Sequence, residues 1–259
     1  MGQHTTALEA VILRHIVNLK RYAFDSISGL VTMYIVFLVI FYGARGIGGV
    51  ALATGNTLEG ILVGYLLWAL AIMAYSELSW DLYNEAQMGT LEQLYVSPIG
   101  FKWINAYSML SNLVFQFALS GVLLALMMVS TGKYLNLDIF SVIPLFLLAL
   151  SSAYGIGFAV GGLALIFKRV RSFFQIVQFV FVAFIAVPIE QFPPIVYMPL
   201  SMTNHLLRQV MVHGLSIWEL NRGELLIGVI TGVVYLALGL LAFTKCERIA
   251  KNKGLLGHY

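Results

Sequence analysis

The chain has 259 residues, of which 60% are apolar and only 10% charged. Soluble globular chains carry about 25% charged residues, so this one has too little charge to coat a water-facing surface. A soluble enzyme, a nucleic-acid binder and a disordered chain are excluded, and an all-α integral membrane protein is implied. The net charge of +3 does not argue for nucleic acid, because the basic residues are scattered between apolar runs rather than clustered on one face. The single cysteine, Cys246, leaves no internal disulfide and no cysteine-based zinc site.

Residues 1–25 place Leu8, Val11, Ile12, Ile16, Leu19 and Ala23 near helical spacing, with Glu9, Arg14, Asn18 and Arg21 between them. That pattern predicts an amphipathic helix lying in the inner interface, with a purely cytoplasmic helix as the alternative. It is not a cleaved signal peptide, since basic residues follow the first apolar stretch rather than precede it. A single transmembrane domain follows over 26–259. Crossing about 30 Å of hydrocarbon takes roughly 20 helical residues. Windows almost free of charge predict six spans, at about 26–44, 60–80, 103–130, 140–167, 172–189 and 225–244. Their lack of a two-residue alternation excludes a membrane barrel.

With the N-terminus inside, the inner segments hold 11 basic residues and the outer ones hold Arg45, Lys133, Arg208 and Arg222, which accounts for all 15. The positive-inside rule therefore puts both termini in the cytoplasm, for a multi-pass protein of the cytoplasmic (inner) membrane. The pairs Gly60 and Gly64, Gly157 and Gly161, and Gly228 and Gly232 have the small-xxx-small spacing that lets helices approach closely. They point to a tightly packed bundle and are compatible with a homodimer.

The inner segment between the second and third spans is dense in local signals. Gly89 is suited to a left-handed helix end. Thr90 reads as the N-cap of a new helix, with Gln93 completing a capping box. Glu92 falls in the first turn, where the helix dipole favours an anion. Leu91, Leu94 and Tyr95 share a face, and Pro98 stops the helix after about two turns. On the residues alone, a rigid knob and a well-capped reversal are equally open.

The string Glu85-x-x-x-Gly89-Thr90-Leu91-Glu92-Gln93-Leu94, followed by Ser97-Pro98-Ile99, resembles the cytoplasmic signature of the membrane (permease) subunits of type-2 ABC exporters. The chain differs in carrying Ala86, Gln87 and Met88 where such permeases often have basic residues. The resemblance implies that Glu85 and Gly89–Tyr95 form a coupling helix that docks on a separate ATP-binding subunit. It also implies a homodimer, or a pair with a similar permease, with ATP and Mg held by the partner subunit and no cofactor on this chain. In keeping with this, no Gly-x-x-x-x-Gly-Lys-Ser/Thr loop exists: Gly132-Lys133 is followed by Tyr134, and Met127 stands where the first Gly belongs.

The outer segment 190–223 contains Pro193, Pro194 and Pro199, yet Ile195, Val196, Tyr197, Met198 and Leu200 are too apolar for a solvated loop. It predicts a re-entrant or interfacial helical hairpin between the fifth and sixth spans, its second arm helical from about Ser201 to Val212. Leu200 to Arg208, including His205, resembles the outer re-entrant helices of the same exporters, which often end in such an Arg. Arg208 is expected to hold a backbone carbonyl of that hairpin in preference to a lipid head group. His205 and His213 have no third ligand at useful spacing, so no metal site is expected.

Glu77 and Asp81 share a face near the inner end of the second span and read as solvated or hinge-stabilising carboxylates. Gln175 and Gln178 on the fifth span favour interhelical hydrogen bonding. By resemblance the fifth span is also a wall of the exit path, which makes Gln175, Gln178 and Phe184 candidates for lining it. The expected function is export driven by a partner's ATP hydrolysis. The alternatives are an ion-driven secondary transporter, which needs essential buried carboxylates, and a non-transporting membrane scaffold.

Overall fold

The computed structural model describes residues 13, 17, 21, 23–46, 58–87, 101–167, 171–189 and 191–252. Among these residues there are α-helices, one 3-10 turn and no strand. In chain order they are α1 (Ala23–Gly46), α2 (Leu58–Gln87), α3 (Phe101–Thr131), α4 (Ile139–Ile166), α5 (Arg171–Ala186), the 3-10 turn Pro193–Tyr197, α6 (Ser201–Met211) and α7 (Arg222–Asn252). Most of the predicted N-terminal amphipathic helix, at 1–25, lies outside the described residues. Helices α1, α2, α3, α4 and α7 are long and apolar enough to cross a bilayer. Val39, Val114, Val129, Val233 and Leu241 stand exposed on their outer faces. Apolar surface on this scale marks contact with lipid or with another protein in the membrane. The chain is a multi-pass, all-helical membrane protein.

The closest helix pair is α4 with α7. A methyl group added to Gly239 meets the backbone of Gly155, and one added to Gly155 meets the carbonyl of Tyr235. One step further along, a methyl added to Gly162 would lie 3.0 Å from the Phe243 Cα and 3.2 Å from the Cys246 Cβ; one step back, one added to Gly232 would meet Leu148 and Ser151. The contacts advance in the same chain direction on both helices, so α4 and α7 run parallel. Lipid tails are as apolar as leucine, so helices in a bilayer gain most from close van der Waals fit, and small residues permit it. Of the predicted pairs, Gly228 and Gly232 take part, but the closest approach is between Gly155 and Gly239.

Helix α2 occupies the centre and touches α1, α3, α4, α5 and α6. Leu62, Val63, Leu66, Leu67, Leu70 and Tyr75 are buried along it. Tyr75 packs edge-on against Phe181, with ring centroids 5.6 Å apart. Its predicted glycine pair receives other elements: a methyl added to Gly64 would lie 3.1 Å from Ile185 Cγ2, and one added to Gly60 would meet the Arg208 guanidinium.

Helix α5 differs from the predicted span at 172–189. It has 16 residues and is therefore about 24 Å long, short of the roughly 30 Å of hydrocarbon. It stops at Ala186 because Pro188 has no N–H to continue the ladder and disfavours helical geometry in the residue before it. The carbonyls left over at its end are taken by α6. The Ser201 hydroxyl donates to the Phe184 carbonyl at 2.7 Å, and the Asn204 amide donates to the Ile185 carbonyl at 3.0 Å. Helix α6 itself begins after Leu200, whose φ of 70° is left-handed. A leucine stays in that region only where its surroundings over-determine it. Here its side chain is buried and its carbonyl accepts from the Asn204 N–H at 2.8 Å.

Candidate functional site

The coupling segment predicted at Gly89, Thr90, Leu91, Glu92, Gln93, Leu94 and Tyr95 lies outside the described residues. Glu85 falls in the last turn of α2; its side chain, like those of Glu77 and Asp81, is also outside the description. The route by which α2 reaches that segment is clear. Helix α2 has 30 residues without a break, so it is about 45 Å long, half as long again as the hydrocarbon of about 30 Å. Before its last turns it is tied to two neighbours. The Ser79 hydroxyl donates to the Gly157 carbonyl of α4 at 3.3 Å, and Trp80 stands edge-on to Phe174 of α5 at 5.3 Å.

Helix α5 has two faces of different kind. Phe174, Phe181 and Ile185 are buried against the bundle, while Phe173, Ile176, Phe179 and Val182 are exposed. Gln175 lies on the exposed face, and Gln178 and Phe184 are half-buried at the edge of the packed one. The two glutamines are therefore not equivalent, although the sequence sets them three apart. The backbone of this face is also used: the Gln178 carbonyl accepts from the Trp68 indole at 3.4 Å.

At the other end of the bundle, α6 forms a buried platform. Met202, Leu206, Leu207, Val210 and Met211 are buried, as are the polar Ser201, Thr203 and Asn204. Arg208 Nη2 donates to the Gly60 carbonyl at 3.3 Å. The acceptor is a backbone carbonyl, but it belongs to the first turn of α2, whereas the sequence pattern assigned it to the hairpin. His205 joins a second tie. The Gln209 amide lies 2.8 Å from His205 Nε2 and donates to Glu224 Oε2 of α7 at 3.1 Å. The amide has two hydrogens, so one group serves both acceptors when the imidazole presents a bare Nε2.

The α3–α4 connection closes the platform. The Asn136 N–H donates to the Met211 carbonyl at 2.8 Å, the Ile217 N–H donates to the Ser141 hydroxyl at 2.9 Å, and Lys133 pairs with Glu59 at 2.7 Å. Asp138 caps the start of α4 by accepting from the Phe140 N–H and the Ser141 hydroxyl. Among the described residues no cluster of three His, Cys, Asp or Glu could hold a metal ion.

One polar feature went unnoticed in the sequence. On α3, Ser111, Asn112, Gln116 and Ser120 are each 5% exposed or less, whereas Leu110, Val114 and Val122 on the opposite side are exposed. The helix is inside-out relative to a soluble one. Serines within helices often satisfy themselves on the carbonyl three or four residues back, as Ser76 and Ser152 do here. Ser111 Oγ, Asn112 Oδ1 and Ser120 Oγ have no hydrogen-bond partner among the described residues. A buried group left in that state costs about 1–3 kcal/mol, and native proteins keep few of them. The signal in the sequence was the four-residue step from Asn112 through Gln116 to Ser120 within an apolar run.

No model of a known protein family matches the chain, and no curated protein matches it.

Proposed function

We propose that this chain is the permease subunit of an ATP-driven exporter of the type-2 ABC class, with ATP and Mg bound by a separate nucleotide-binding subunit. The observation that carries the reading is the run Glu85 to Ile99, with its acid, Gly-Thr pair, Leu-Glu pair and proline, which begins in the last turn of the unbroken helix α2. Ligand binding moves a conformational equilibrium only through contacts that differ between its states. A capped two-turn helix at the end of a stiff rod suits that task, because a push on it reaches the centre of the bundle without being absorbed by a flexible joint.

In this reading α5 is the fifth of six spans. Its missing depth is made up by α6 re-entering from the outer side, both termini are cytoplasmic, and two copies of the chain pair in the cytoplasmic membrane. The exposed face of α5, with Gln175 and Phe179, borders the path between them.

The test replaces Gly89 and Leu91–Leu94 by a flexible Gly-Ser linker and reconstitutes the chain with the nucleotide-binding subunit co-purified from native membranes. Membrane insertion is expected to persist, while permease-stimulated ATPase activity is lost. Undiminished stimulation, or flux in vesicles holding no nucleotide-binding subunit, overturns the reading in favour of an ion-driven transporter.

A further inference from the structure

A groove of about 630 Å³ opens on the surface of the bundle where α4 and α7 begin, a size within the roughly 300–1,000 Å³ of ligand pockets. Phe140 and Pro144 of α4 and Leu226 and Val229 of α7 supply apolar walls, and Trp218 and Arg222 line its end at the start of α7. From Arg222 to Val229 is seven residues of helix, so the groove follows α7 for about 10 Å. All six residues are exposed, Phe140 by 88% and Trp218 by 91%. Arg222 is the one charged residue of the lining, and its guanidinium has no hydrogen bond or ion pair among the described residues. The described acids near it are turned to other donors. Glu219 accepts from the Ser216 N–H at 2.8 Å, Glu224 from the Gln209 amide, and Asp138 from the Phe140 N–H and the Ser141 hydroxyl. The Gly223 N–H is likewise taken, by Asn221 Oδ1 at 2.8 Å. Arg222 is therefore the donor left open to an anion at this end of the groove.

We propose that this groove binds a membrane phospholipid, its phosphate diester on Arg222 and one acyl chain along the apolar walls. A guanidinium matches the charge and planar geometry of phosphate oxygens. Tryptophan at the end of a span sits at head-group level, which sets Trp218 and Arg222 at the depth of the phosphate. The walls then run inward from that cation, in the order of a lipid's head and chain. A soluble anion would leave the walls unused. A second copy of the chain across a two-fold axis would bring the groove against itself, Arg222 facing Arg222 with no counter-charge between them. The inference holds whether or not ATP drives the protein.

Trp218 reports on the groove directly. Detergent-purified protein is titrated with phosphatidylcholine carrying brominated acyl chains and, in parallel, with the diacylglycerol that has the same chains and no phosphate. Bromine quenches indole emission on contact, and the share of Trp218 is the difference between the protein and its Trp218→Phe variant. Quenching is expected to saturate, with the phospholipid bound at least about ten-fold more tightly than the diacylglycerol, as one charge-assisted hydrogen bond allows. Arg222→Gln is expected to erase that preference, and Val229→Phe, which fills the groove, to weaken both lipids. Both side chains are exposed, so neither change disturbs the packed core. Equal affinity of the parent for the two lipids overturns the phosphate assignment. Quenching that does not saturate, or that Val229→Phe leaves unchanged, overturns the groove and marks ordinary surrounding lipid. Trp218 emission that follows protein concentration and ignores lipid overturns the proposal in favour of a second copy. Phosphorus retained per chain after exhaustive detergent washing is the second measure: it should fall in Arg222→Gln, and equal retention counts against the site.

Discussion

Arg208 and Gly60 are 148 residues apart in the chain, yet the guanidinium of one donates to the carbonyl of the other at 3.3 Å. This bond fixes the short helix α6 to the start of the central helix α2. A hydrogen bond from a charged donor contributes about 1.5–3 kcal/mol, so Arg208→Ala should lower the melting temperature of the detergent-purified protein by several degrees. Gly60→Ala puts a methyl 3.0 Å from Arg208 Nη2, the far end of a flexible side chain, and should cost less. Reversal of that order in thermal melts would falsify the tie as described.

The glycines divide into two groups. Gly239 and Gly155 meet backbone to backbone, whereas Gly29, Gly43 and Gly121 have nothing within 4 Å of an added methyl. Overpacking a tight contact costs roughly 1–3 kcal/mol and sometimes more. Gly239→Ala should therefore reduce the yield of monodisperse protein and its melting temperature sharply. Gly121→Ala should leave both unchanged or slightly raised, because alanine is the better helix former. Equal behaviour of the two variants on size-exclusion chromatography counts against the packing.

Two phenylalanines of α5 offer an internal comparison. Phe181 is fully buried beside Tyr75, and Phe179 is 74% exposed. Truncating a buried phenylalanine to alanine costs about 3–5 kcal/mol, so Phe181→Ala should be strongly destabilised. Phe179→Ala should melt like the parent as a monomer. If the exposed face of α5 borders a second copy, Phe179→Ala will instead shift the dimer fraction measured by light scattering.

The Lys133–Glu59 pair, at 2.7 Å, is partly exposed on both sides, with side chains 40% and 28% accessible. Pairs of this kind contribute about 0–1 kcal/mol and are screened by salt. A double-mutant cycle with Lys133→Ala and Glu59→Ala is expected to give a coupling below about 1 kcal/mol, smaller still at high ionic strength. A coupling several times larger would mean that the pair is shielded from water by lipid or by a second chain.

The spans were legible because a bilayer imposes one simple rule, a long run without charge, on five of the described helices. The α6 arm was legible because apolar residues at helical spacing followed a cluster of prolines. Helix α5 was read too long: its last residues are as apolar as the rest, and its true end is set by Pro188 together with Ser201 and Asn204, whose partners are remote in sequence. The acceptor of Arg208 was hidden for the same reason. Gly155 and Gly239 escaped because a spacing rule within one helix cannot say which glycine faces which across two. The α3 row was available in the sequence as Asn112, Gln116 and Ser120, but spacing alone does not tell an inward face from an outward one.

Where the backbones of Gly155 and Gly239 touch, neither helix has side-chain slack with which to turn or slide against its neighbour. The contact predicts that α4 and α7 move as one stator in any change of shape, relative to the helices around them. A spin-label distance between those two helices should be the same in every state, which makes the pair the natural fixed frame against which movement of α1, α3 and α5 is measured.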